Sequence, residues 1–164
     1  MSALLEDRVE VQAVDASSSG LLAALHAASF CKPGDETWST RSFSDVLSMA
    51  GSFCLVATDA MQSGHEPCGF AACRNAGTDG ELLSLGVVPN FRRGGIAKIL
   101  LAESLATFHC QGAERVYLEV AEDNPPAQAL YLSSGFEQIG QRKGYYRRLG
   151  ETRVDALTMC YSFD

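Results

Sequence analysis

One stretch, residues 81 to 120, constrains the fold more than any other part of this chain. Glu81 to Val88 reads ELLSLGVV. Its Leu82, Leu83, Leu85, Val87 and Val88 suit a central strand with little polar alternation. Pro89 stops it, because proline cannot donate to a ladder. Asn90 to Gly95 is a turn of arginines and glycines. Ile96 to His109 then carries Ile96, Ile99, Leu100 and Leu105 on one helical face. Gly112 ends the helix, and Arg115 to Val120 supplies another strand. Strand, helix and strand at this spacing form a βαβ unit, so parallel pairing and a right-handed crossover are expected.

The turn at the centre of that unit carries chemistry. A strand stops, and a helix begins at once. Its first N–H groups have no partner within the helix, and its dipole is positive at that end. Such a turn suits an anion. Gly95 permits close backbone approach, and Arg92 and Arg93 can add charge-assisted contacts to phosphate. The segment lacks GxxxxGK[ST] and the full GxGxxG fingerprint, so neither an ordinary nucleotide P-loop nor a dinucleotide site is indicated. A plain basic surface turn is the alternative.

The remaining elements fall around this unit. Val9 to Val14 reads as a first strand. Leu21, Leu22, Leu25 and Ala28 predict a helix ending near Phe30. Cys31 to Glu36 contains Lys-Pro-Gly-Asp and reads as a loop. Ser39 or Thr40 caps a second helix with Phe43, Val46 and Leu47 on one face. Phe53 to Thr58 and Cys68 to Arg74 read as an antiparallel pair joined by a polar turn over 59–66. A further turn is expected over 75–80. Asn124 is an N-cap and Pro125 stands at the first helical position. That helix runs to Ser134, with Gly135 just beyond. Phe136 to Ile139 and Val154 to Tyr161 read as the last strands, flanking a Gly/Arg/Tyr-rich excursion from Gly140 to Arg153. No repeat or linker divides the 164 residues, so one domain over 1–164 is expected.

Arg92-Arg93-Gly94-Gly95-Ile96-Ala97, preceded by Val87-x-Pro89 and followed by a helix, resembles the Gcn5-related N-acetyltransferases (GNAT), whose pattern is Arg/Gln-x-x-Gly-x-Gly/Ala. The resemblance implies an α/β fold: a mixed central sheet of about six to seven strands flanked by about four helices. It also implies acetyl-CoA as cofactor. The backbone amides of Arg93, Gly94, Gly95, Ile96 and Ala97 would take the pyrophosphate, and the pantetheine arm would lie against Leu85, Val87 and Val88.

Over roughly residues 9–160 the chain looks like the bacterial ribosomal-protein-alanine N-acetyltransferases. Trp38-Ser39 with Phe43, Glu81 to Val87, Leu118-Glu119-Val120, Asn124 through Tyr131 to Gly135-Phe136, Arg142 with Tyr145-Tyr146, and Asp155-Ala156-Leu157 with Met159 carry the likeness. It implies direct transfer of acetyl to the N-terminal alanine of small-subunit ribosomal protein eighteen. Glu119 would be the base and Tyr131 the acid. Trp38, Glu81, Tyr145 and Tyr146 would border the acceptor groove, and Asn124 would lie on the cofactor side. Two departures stand out. The Phe-to-Trp-Ser segment is stretched, from Phe30 to Ser39, and Ala121 stands where many members have Arg.

Each residue also has a plainer reading. Glu119 and Glu81 can be strand-end carboxylates or ion-pair partners, and the tyrosines and Trp38 can be packing. Two other functions use the same residues: acetylation of lysine side chains or a small amine, and acyl-CoA binding without turnover. Lys plus Arg number 13 and Asp plus Glu 20, a formal charge of -7. That balance disfavours nucleic acid and favours a basic protein or peptide with a free N-terminus, such as a ribosomal protein. The six cysteines form no CxxC pair and read as reduced thiols, so no metal is expected. Glu6 and Asp7 interrupt the N-terminal stretch where a signal peptide needs apolar residues. No apolar run spans a membrane. A cytoplasmic monomer or weak dimer is the expectation.

Overall fold

The computed structural model describes residues 8–60 and 65–164. The polar turn expected over 59–66 falls partly outside these residues, and Glu6 and Asp7 fall wholly outside them. Seven strands form one sheet in the order β1-β2-β3-β4-β5-β7-β6. They are β1 (Val9–Val14), β2 (Ser52–Asp59), β3 (Glu66–Ala76), β4 (Asp79–Val87), β5 (Arg115–Ala121), β6 (Glu137–Arg147) and β7 (Arg153–Ser162). Four α-helices accompany them among the described residues: α1 (Ser19–Ser29), α2 (Thr40–Ser48), α3 (Ile96–Cys110) and α4 (Pro125–Ser133). The mixed sheet and helix number agree with expectation.

Side-chain alternation along the strands builds two cores, one on each face. On one face Leu55, Ala71, Cys73, Val116, Leu118 and Val120 meet Ile96, Leu100, Leu101 and Phe108 of α3 and Tyr131 of α4. On the other, Cys54, Val56, Phe70 and Ala72 meet Leu22 and Leu25 of α1 and Phe43 of α2. Burying each Leu or Phe here stabilises the fold by about 1.5–3 kcal/mol. The α1 residues Leu22, Leu25, His26 and Ser29 are buried at helical spacing. His26 stacks on Trp38 with ring centroids 5.6 Å apart. Its Nδ1 accepts the Trp38 backbone N–H at 3.3 Å. Burial pushes His26 down to about 4, so the ring is neutral. A reciprocal pair of bonds between Ser39 and Ser42 caps α2.

The decisive irregularity is in β4. Ala72 pairs with Ser84 but the next residue, Cys73, pairs with Leu82, so Leu83 is an extra residue on β4. A bulge of this kind bends a strand and interrupts its ladder. On its other edge β4 runs parallel to β5 through only Asp79–Arg115, Gly80–Val116 and Glu81–Tyr117. Beyond Glu81 the pairing stops, while β5 continues beside β7 to Ala121. The sheet forks there.

Two expected boundaries need correction. The turn predicted over 75–80 is only Gly77-Thr78, because β3 runs to Ala76 and β4 begins at Asp79. The excursion predicted from Gly140 is largely strand: β6 extends to Arg147 and pairs with β7 out to Arg153. As an edge strand, mostly exposed on both sides, β6 carries no apolar alternation to read.

Candidate active site

The fork opens a cleft of about 780 Å³. Leu85 and Val87 line it from β4, Arg92, Arg93 and Gly95 from the turn, Ile96 and Ala97 from α3, and Asn124 and Tyr131 from the α4 side. Gly95 immediately precedes α3 with φ +82°, in the left-handed region, and Arg93 has φ +60°. No described side chain caps α3. The unpaired N–H groups of a 15-residue helix therefore face the cleft, which continues between β4 and α4. A long ligand with phosphate at one end and a slender arm at the other fits this shape.

Arg92 serves the turn in a way that spacing could not show. Its Nε donates to the Val87 carbonyl at 3.0 Å and its NH2 to the Ser29 carbonyl at 2.5 Å. The guanidinium thus ties the turn to the ends of β4 and α1. Gly94 borders a separate cavity of about 210 Å³ beside Arg8 and Asp59. Val88 packs against the α1–α2 core rather than lining the cleft.

Tyr131 is 7% exposed and packs edge-on against Phe136 at 5.7 Å. It rides on α4, which Asn124 caps through Oδ1, accepting the Ala127 N–H at 3.3 Å. Such a cap stabilises a helix by about 1 kcal/mol. The Tyr131 hydroxyl bonds to no described residue. Burial pushes its phenol well above the ordinary range, with a smaller push from Tyr146, so it stays protonated.

Glu119 lies on the opposite face, since its neighbours Leu118 and Val120 point into the α3–α4 core. The two groups flank the fork from either side. The Glu119 Oε1 meets Arg142 NH1 of β6 at 3.0 Å. Its backbone carbonyl accepts the Tyr146 hydroxyl at 3.4 Å. Burial, followed by the nearby carboxylate, pushes Tyr146 up to about 12. Tyr145 is half exposed, edge-on to Tyr146 at 5.1 Å. Glu81 is exposed at the last β4–β5 pair. Trp38 is half-buried and joins the α1–α2 core.

The loop after α1 forms part of the rim. Lys32, Pro33 and Asp35 line the cleft together with Arg148 from the β6–β7 turn. A Cβ on Gly34 would fall 2.9 Å from the Leu149 backbone nitrogen, so the two segments touch. Arg148 is clamped to Asp123 through Nε–Oδ2 at 2.8 Å and NH2–Oδ1 at 2.7 Å. Neither this clamp nor the Glu119–Arg142 pair was foreseen from sequence, although the Arg/Lys cluster beside Tyr145 and Tyr146 marked the region. Among the described residues no cluster of three His, Cys, Asp or Glu side chains could hold a metal. No helix of these residues is long and apolar enough to cross a membrane.

Forked sheet, uncapped helix and flanking polar groups define an acyl-CoA-type transferase scaffold. The chain belongs to the acetyltransferase (GNAT) family, whose model matches residues 21–136. It is 36% identical to N-alpha-acetyltransferase RimI of Mycobacterium tuberculosis over 130 residues, 77% of this chain and 76% of that protein. It is 38% identical to the [ribosomal protein bS18]-alanine N-acetyltransferase of Haemophilus ducreyi over 90 residues, 55% of this chain and 62% of that one. The crystal structure of the ribosomal-protein-S18-alanine N-acetyltransferase from Escherichia coli superposes with a TM-score of 0.82 at 22% identity, covering 94% and 93% of the two chains. Arabidopsis thaliana NAA60 in complex with acetyl-CoA gives 0.79 at 24% identity, covering 94% and 98%. The fold is that of acetyl-CoA-dependent acetyltransferases.

Proposed function

We propose that this protein, as one domain over residues 1–164, transfers acetyl from acetyl-CoA directly to a free protein N-terminus. The first residue is alanine, and the acceptor is small-subunit ribosomal protein eighteen, met in the cytoplasm. The observation that carries the reading is the placement of Glu119 and Tyr131 on opposite sides of the fork. The likeness to protein N-terminal acetyltransferases supports it.

Acetyl-CoA supplies a thioester-activated acyl group. The first-turn amides of α3 bind its phosphates, and Leu85 and Val87 flank its arm. Glu119 takes a proton from the α-amine, whose reference pKa near 8 leaves part of it charged at neutral pH. Tyr131, held protonated by burial, gives its proton to the leaving sulfur. Tyr146 steadies the β5 backbone at Glu119. The α1–α2 loop and the β6–β7 turn border the cleft through Lys32, Pro33, Asp35 and Arg148. The net charge of -7 suits a basic acceptor.

The test uses a peptide that starts with alanine, continues with basic residues and holds one internal lysine. Mass spectrometry should place the acetyl on the α-amine. Acetyl found mainly on the lysine would reject the N-terminal assignment, and no transfer to either would favour acyl-CoA binding alone.

A further inference from the structure

The free protein already has a cation at the candidate base. Arg142 NH1 lies 3.0 Å from Glu119 Oε1. Arg142 keeps 57% of its side chain exposed while Glu119 keeps 26%, so the arginine reaches in from the rim toward a more enclosed carboxylate. Its guanidinium also lies over the ring of Tyr145, 5.0 Å from the centroid. It therefore rests between two partners, and leaving one does not strand it in water. The backbone that presents it is fixed. The β6 ladder is irregular between Arg142 and Tyr146, and Gly144 in that bulge has φ +57°. Gly144 N–H donates to Asp155 Oδ1 at 2.8 Å, and Arg153 NH1 donates to the Gly144 carbonyl at 3.1 Å. Anchored backbone with an exposed side chain is the arrangement of a group that swings.

We propose that Arg142 is a placeholder for the acceptor amine. Its guanidinium neutralises Glu119 in the absence of acceptor, and the incoming N-terminal ammonium displaces it onto Tyr145. Arg142 then selects acceptors that bring a cation of their own to Glu119, and it is a specificity-determining residue rather than a catalytic one. An ammonium must outcompete a partly solvated ion pair, and such pairs are weak enough to exchange readily. The displaced guanidinium keeps a cation–π contact. The proposal rests on Glu119 meeting the acceptor amine.

Calorimetry with the CoA-loaded protein measures binding of the alanine-first basic peptide without turnover. Arg142→Gln should tighten this binding by about two- to fivefold, the range expected for removing one weak ion-pair competitor. Arg142→Lys should restore the original affinity. The same peptide acetylated at its N-terminus should bind both variants alike. The gain should vanish when Glu119→Gln is combined with Arg142→Gln. Weaker or unchanged binding in Arg142→Gln, or an equal gain for the blocked peptide, overturns the placeholder. The underlying reading is checked separately: Glu119→Gln with undiminished kcat removes Glu119 as base, whatever the binding data show.

Discussion

On the proposed mechanism, Tyr131 is the residue on which the chemistry turns most directly. It is enclosed, its hydroxyl is unclaimed by any described residue, and it lines the cleft on the helix side. Because burial raises its phenol above the ordinary range, it is protonated at neutral pH, as the proposed donor role requires. Tyr131→Phe removes one oxygen and little volume, so the ring should keep its contact with Phe136. We predict a fall in kcat of roughly 10–1000-fold, as for loss of a positioned proton donor. Acetyl-CoA affinity should not change by calorimetry. Undiminished kcat in Tyr131→Phe would remove it from the mechanism. The thiols offer no rival nucleophile in the core. Burial pushes Cys54 and Cys68 up to about 11 and Cys73 further still.

At the scale of elements, the turn and helix α3 act as one unit, and two adjacent glycines separate its demands. Gly95 has φ +82°, where a β-branched residue is strained. Gly94 has no such backbone, and a Cβ there would make only an ordinary contact, 3.5 Å from the Phe91 carbonyl. Gly95→Val should therefore weaken acetyl-CoA binding by at least about tenfold, on an expected strain of about 1–2 kcal/mol plus lost approach to phosphate. Gly94→Ala should stay within about twofold. Equal affinities for the two variants would count against the phosphate assignment. This βαβ unit was legible in advance because its signals are local: an apolar run, a proline, a glycine turn and a helical stripe. Asn124 and Pro125 announced α4 for the same reason. The bulge at Leu83 was not legible, because it is a mismatch between two strands and neither sequence alone records it. Arg92 looked like a phosphate ligand by composition; its guanidinium also donates to the Val87 carbonyl five residues back and to the Ser29 carbonyl of α1, and that second bond is not legible in the sequence. Glu119 and Arg142 are 23 residues apart in sequence, and only the β5–β7–β6 order brings them together. Trp38 resembled a groove wall; it is half-buried and stacks on the neutral His26 imidazole, a contact that sequence spacing does not show.

Over the whole molecule, the two cores hold α1 and α2 on one face and α3 and α4 on the other, and the cleft at the fork is lined from both, by Ser29 and Phe30 and by Ile96, Ala97 and Tyr131. On the proposed reading, acceptor and coenzyme reach the fork from different sides. Initial velocities measured over a grid of both concentrations should then give intersecting double-reciprocal lines, with both reactants bound before any product leaves. Parallel lines would require an acetylated protein intermediate and would exclude direct transfer. On that reading the bulge at Leu83 has a kinetic meaning. By parting two strands, one inserted residue would give the molecule two doors that open onto the same room. Neither visitor would have to back out to admit the other, and a spent coenzyme would not need to leave before the finished chain end withdraws.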